Sequence, residues 1–187
     1  MTPYSLSFYV DVVSSGSVLG AKPSDSPEQV AAVLGDDFIE NSAFTDSMWR
    51  DYGITEFFWG RESPEHLWVG SHFSLQVHRL ASGGNKNVDR RLREKYGRFS
   101  PKLRFGRLRG LLEKRGVPLV EVPEYGGEDR TFWQPESLVA VTFISAHPDW
   151  AIRSRPSWLR IGDVYRISAP MTRESVEWRR RQAREMA

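Results

Sequence analysis

Residues 138–145 (LVAVTFIS) form a nearly continuous apolar run of strand length. A run of this kind reads as a central strand buried on both faces, which needs partner strands beside it and packing above and below. Partners are visible. Residues 71–80 set Phe73, Leu75 and Val77 opposite His72, Ser74, Gln76 and His78, the period-2 alternation of a half-buried strand. Residues 54–59 are aromatic-rich and residues 164–168 are short and β-branched, so both are expected to be strands. Residues 5–13 alternate Leu6, Phe8, Val10 and Val12 against Ser7, Tyr9 and Asp11, and a strand is expected there too.

Helix signals supply the covering layers. Ser26-Pro27-Glu28-Gln29 combines an N-cap serine, a proline at the first helical position and a glutamine three residues after the cap. The helix it opens should bury Val30, Val33 and Leu34 and stop at Gly35. Residues 88–96 fit a short helix, and Ser100-Pro101 is the expected start of another, with Phe105, Leu108, Leu111 and Leu112 on one face and Gly116 and Pro118 at its end. Residues 172–185 read as a charged helix after Pro170-Met171. Residues 36–51 are polar and irregular, a loop pinned by Phe38, Phe44 and Trp49. The expected fold is a single α+β domain over residues 1–187, its sheet mixed or mainly antiparallel and packed by a few short helices. The turn at residues 83–86 is the alternative boundary, but halves that small bury more by sharing one sheet.

Composition narrows the chemistry. There is no cysteine, which excludes disulfides, thiolate metal sites and a cysteine nucleophile and makes the cytoplasm the simplest location. The N-terminus lacks the pattern of a secretory signal, and no segment approaches the roughly 18 apolar residues of a membrane span. Charge is divided: residues 1–65 hold 11 acidic and 3 basic side chains, whereas residues 86–115 hold 12 basic and 3 acidic ones. Either the two segments lie together and compensate, or one of them steers a partner of opposite sign.

Catalytic and metal signatures are sparse. His66, His72 and His78 are spaced evenly, but six residues along a strand separate side chains by roughly 20 Å, too far to share an ion. No HExxH, glycine-rich phosphate loop or GxSxG elbow occurs, and no cofactor is expected. His147 and Asp149 follow the apolar strand where a general acid/base pair can sit, although Pro148 between them makes a turn the plainer reading. Arg90, Arg91, Arg104 and Arg107, with Tyr96, Phe99 and Phe105 interspersed, have the ingredients of a nucleic-acid surface. Phe105 falls on the apolar helix face, however, and no recognition module is present, so specific nucleic-acid binding is not expected. Trp68, Trp133 and Trp158 are expected in the core. Trp49, beside Arg50 and Tyr52, is either a loop aromatic folded onto the body or an interface anchor of the kind that dominates binding hot spots.

Three stretches, VAAVLG at residues 30–35, RDYGITEFFW at 50–59 and FSLQVHRL at 73–80, together resemble a pattern in immunity-type proteins of actinobacterial polymorphic toxin systems. The similarity covers residues 18–80 and carries scaffold positions, not a catalytic motif. It implies a βαββ scaffold and a small cytosolic antitoxin that binds and blocks one cognate toxin. On that implication Asp36, Asp37, Glu40, Asp46 and Asp51 would imitate substrate phosphates toward a basic toxin surface, with Trp49 and Tyr52 as desolvated anchors. The leading expectation is a protein-binding module and not an enzyme. The alternatives are a nucleic-acid-associated or regulatory protein acting through residues 86–115, and an enzyme of unrecognised chemistry.

Overall fold

The computed structural model describes residues 4–123, 129–146 and 159–185. Its centre is an eight-stranded sheet of β1 (Ile39–Asn41), β2 (Ser47–Asp51), β3 (Thr55–Gly60), β4 (Val69–Leu75), β5 (Val120–Val122), β6 (Asp129–Gln134), β7 (Val139–Ile144) and β8 (Val164–Ala169). The strand order is β1-β2-β3-β4-β8-β7-β6-β5, and every pairing among the described residues is antiparallel. Because β4 pairs with β8, one sheet runs across the turn at residues 83–86. The helices are α1 (Tyr4–Ser15), α2 (Pro27–Leu34), α3 (Arg79–Gly83), α4 (Arg90–Tyr96), α5 (Phe105–Lys114) and α6 (Arg173–Glu185).

One face of the sheet is the main core. Phe57, Trp59, Phe73, Leu75, Val139, Val141 and Ile167 meet the buried residues of α1, α2, α4 and α5 there. On the other face α6 lies against β5 and closes a small second core of Val122, Trp133 and Val176. Phe132 and Trp133 thus enter different cores, as alternation along a strand requires. β7 is buried on both faces, in agreement with its continuous apolar sequence.

α2 carries both halves of its capping box: Gln29 N donates to Ser26 Oγ (3.3 Å) and Ser26 N to Gln29 Oε1 (2.8 Å). The chain before it lies flat on the hairpin of β3 and β4, where Trp59 Nε1 donates to Asp25 O at 2.8 Å. Gly70 permits this contact, since a Cβ at that position would stand 2.2 Å from Pro23 O.

Four expectations are corrected. Residues 5–13 belong to helix α1, not to a strand. Leu6, Tyr9, Val10 and Val13 also recur with helical spacing, and all four are buried together with Phe8 and Val12. A segment apolar on nearly every side satisfies both periods, and packing against α4, α5 and β7 selects the helix. Residues 36–51 hold two strands, and Phe44 is 69% exposed instead of pinning a loop. The strand at 71–80 stops at Leu75, because Val77 and Leu80 reach the core through a turn into α3. α5 begins at Phe105, not at Ser100-Pro101. Residues 99–104 instead bury Phe99 and Leu103, and Arg104, in extended conformation, bridges to Asp163. Trp133 is core as expected and Trp68 is half-buried against the core, whereas Trp158 and the segment from His147 to Trp150 lie outside the described residues.

Candidate functional site: an aromatic cleft at the acidic end

Antiparallel register sets a row of side chains across four strands. Asn41 is opposite Trp49, Trp49 opposite Phe58, and Phe58 opposite His72. Directly opposed residues on one face touch. The Phe58 and His72 rings are stacked at 4.1 Å and 7°, and the Trp49 and Phe58 centroids are 6.5 Å apart. With Phe44, which projects from the turn between β1 and β2, this row lines an open cleft of about 340 Å³. The face is the one that α6 covers at the far end of the sheet, but here the aromatic side chains are only half-buried or exposed.

The row is held from behind. The register shifts after Phe58, and in that irregularity Ser71 Oγ donates to Phe58 O (3.0 Å) and lies 3.0 Å from His72 Nδ1. Two residues along each strand, Asp51, Glu56 and Ser74 form the next row. Arg79, from α3, spans that row: Nη1 donates to Asp51 Oδ2 (2.9 Å) and Gly53 O (2.7 Å), and Nη2 to Glu56 Oε1 (2.5 Å). Gln76 Nε2 donates to the other Glu56 oxygen at 2.5 Å. Gly53 turns the chain at φ +96°, and a Cβ there would lie 2.3 Å from Asn87 O.

Of the residues expected at an interface, Trp49 lies in the cleft and Asp46 is exposed one residue from the cleft-lining Ser47. Asp36 and Asp37 are exposed on the connection from α2 to β1. Glu40 accepts from Arg50 Nε at 2.8 Å, and Asp51 belongs to the Arg79 clamp. Tyr52 is a correction: it is buried, its ring 5.3 Å from Phe38 and 6.5 Å from Phe57, and burial raises its hydroxyl pKa above the usual value. It is a core residue and offers no surface anchor. Along the sequence Phe44 reads as a loop pin, Phe58 as one strand aromatic among several and His72 as the polar side of a strand. The available signal was that Phe58 is out of phase with Phe57 and Trp59, but only the pairing register joins it to Trp49 and His72.

The acidic and basic segments meet at the end of α2 and at Asp11, which accepts from Tyr96 Oη (3.1 Å) and Arg115 Nη1 (3.2 Å). Asp36 and Asp37 share a cleft of about 470 Å³ with Asp89, Arg90 and Arg91. Arg91 Nη1 donates to Ala32 O (2.8 Å) and Val33 O (2.6 Å) at the end of α2, and Arg90 pairs with Glu94 at 3.6 Å. Arg104 pairs at 2.8 Å with Asp163, whose side chain is fully buried. Three of the four arginines considered for nucleic acid therefore have protein partners, while Arg107 is exposed on α5.

The three histidines among the described residues do not converge. His66 Nδ1 is 2.8 Å from Ser63 Oγ, His72 stacks on Phe58, and His78 stacks on Tyr165 at 4.4 Å. No group of three histidine or carboxylate side chains among the described residues is placed to hold a metal ion. No helix among them is long and apolar enough to cross a membrane.

His72 and His78 lie below the ordinary histidine value of 6.5. Burial is the first cause for both; the Arg166 charge adds to it at His72 against Glu56, and at His78 the Tyr165 carbonyl opposes it. Unfolded histidine titrates near 6.5, so below that pH the unfolded chain binds more protons than the folded one. Their stabilisation is complete above about pH 6.5 and is lost as the pH falls through the lowered folded values. Urea midpoints at about pH 7.5 and pH 5 should show a loss that shrinks in His72→Gln/His78→Gln. An equal loss in the double variant would assign the slope to other groups.

Set against known proteins, the chain matches no family model, no curated protein and no solved structure, so its functional reading rests on the chemistry of this cleft and its surroundings.

Proposed function

We propose that this protein is a binding module, not a catalyst, and that the sheet end built from β1 to β4 is its contact face. The observation that carries the reading is the aromatic cleft together with exposed apolar side chains on the strands and turns that build it. Ile39, Phe44, Leu67 and Val69 are each at least 66% exposed and fall on β1, β4 and the turns beside them. Large apolar side chains gathered at one place on a surface mark contact sites, and tryptophan is the residue most enriched among binding hot spots. Asp46 is exposed beside the cleft, and Asp36 and Asp37 are exposed on the connection into β1 next to Arg90 and Arg91, so Asp46 is the acid placed to meet a basic partner at the cleft.

Within that class the role proposed is that of an immunity-type antitoxin which occludes a toxin surface. The acids accelerate encounter and the cleft sets the residence time. Co-expression with the toxin domain of a neighbouring reading frame tests this role: the wild-type chain restores growth and forms an isolable complex. Trp49→Ala, at unchanged thermal stability, speeds dissociation and costs about 2 kcal/mol or more, roughly 30-fold in affinity. Absence of both complex and growth rescue with the wild-type chain would remove the antitoxin role, and unchanged dissociation of the variant would remove the cleft from the interface.

A further inference from the structure

We propose that the cleft between Phe44, Trp49, Phe58 and His72 receives an arginine side chain of the partner protein. The inference rests on the reading of this face as a protein contact site and adds the chemistry of what enters it. Ring faces attract cations through their quadrupoles, and the planar guanidinium is the side-chain cation that stacks best on them.

The same end of the protein already uses this packing twice. The Arg50 guanidinium lies 4.3 Å from the Phe38 ring centroid and 5.8 Å from that of Trp59, and the Arg61 guanidinium lies 4.1 Å from the Trp68 ring. Both arginines are committed elsewhere. Arg50 is held by Glu40 and Pro27 O, and Arg61 by Thr45 O and Pro64 O, so neither fills the cleft. The arginine bonds to Thr45 O and Pro64 O instead fasten the turn that carries Phe44 to the one that follows β3.

Charge favours a cation over a neutral occupant. Asp46 is exposed beside the cleft, and neither arginine nor lysine lines it, so an entering cation meets a carboxylate at the rim and no like charge on the walls. Desolvation beside Phe58 lowers the His72 pKa below the ordinary histidine value, which works against a positive charge on the wall of the cleft. Arg166 is the cation on this face that His72 senses. Register places it toward the middle of the sheet: Ser168 pairs with Ser74, and Arg166 lies two residues further from the aromatic row. A volume of about 340 Å³ suits one side chain with its flanking backbone.

Three blocked tripeptides test the inference on the isolated protein: acetyl-Gly-Arg-Gly-amide, its citrulline counterpart and its leucine counterpart. The readout is the indole N–H resonance of Trp49, identified by its loss in Trp49→Phe. The arginine peptide should shift this resonance with at least fivefold higher affinity than either neutral peptide, and the advantage should shrink as salt rises. Trp49→Leu and Phe58→Leu keep an apolar surface but remove a ring face. Followed by shifts of the Ser71 and His72 backbone amides, each should bring arginine down to the level of citrulline, while Trp49→Phe retains the preference. Equal or tighter binding of leucine or citrulline, or no shift with any peptide at millimolar concentration, overturns the inference. The contact-face reading still stands in that case if Trp49→Ala weakens the complex with the protein partner. Conversely, arginine selectivity with a complex indifferent to Trp49→Ala would refute the contact face and, with it, an arginine of the partner as the occupant.

Discussion

Replacing Arg79 with methionine should lower the unfolding free energy by about 3 kcal/mol, the lower end of what breaking a buried ion pair costs. The substitution keeps most of the aliphatic stem and removes the three bonds to Asp51, Gly53 O and Glu56. Glu56 bears the loss, because its side chain is 9% exposed and Gln76 becomes its remaining side-chain partner. Arg79 is itself 31% exposed, so water recovers part of the interaction and the upper end of the range is not expected. Arg79→Met combined with Glu56→Gln should recover part of the loss, since no buried charge is then stranded. Urea denaturation of the two single variants and the double variant gives the coupling directly. A loss below about 1 kcal/mol for Arg79→Met would show the clamp to be as weak as an ordinary surface ion pair.

Phe8→Ala is expected to cost about 3–5 kcal/mol, the range for emptying a buried aromatic site. Phe8 is fully buried, with edge contacts to Tyr9 at 5.2 Å, Tyr96 at 5.3 Å and Phe99 at 5.4 Å. These rings come from α1, from α4 and from the segment between α4 and α5, so the cavity would open where three parts of the chain meet and could not close by moving one of them. Phe8→Leu should cost less, because much of the volume is retained. Val13→Ala separates the helix from the strand that alternation suggests. On the strand reading Val13 shares a face with Ser7 and Asp11, whereas in the helix it is fully buried and its truncation should be clearly destabilising. Thermal unfolding of the three variants checks the order, and a neutral Val13→Ala would contradict the packing of α1.

Much of the local structure was legible because its causes are local. The capping box of α2 involves residues three apart, and both of its bonds form. Gly116 ends α5 at φ +70°, a conformation that the side-chain-free residue adopts without strain. β3, β7, β8 and α6 likewise sit where apolar pattern and turn residues placed them. α1 was not legible, since a stretch apolar on almost every side satisfies the period of a strand as well as that of a helix. The start of α5 was hidden for a different reason: Ser100-Pro101 has the local chemistry of a cap, but burial of Phe99 and Leu103 and the Arg104 pair with Asp163 hold the preceding residues outside the helix.

The candidate site divides along the same line. Trp49 and the surplus of acids are properties of the amino-acid sequence and were visible in it. Tyr52 has the same interface chemistry as Trp49 but lies three residues away and points into the core, and Arg91 and Arg104 hold other parts of the chain in place. The cleft itself joins Trp49 to Phe58 and His72, residues on three strands whose neighbours are set by register. A slip of one residue would turn each of these rings to the opposite face. Residue type and local turns were therefore determined by the sequence read along the chain, while the meeting of those residues at one surface was decided only when distant strands paired.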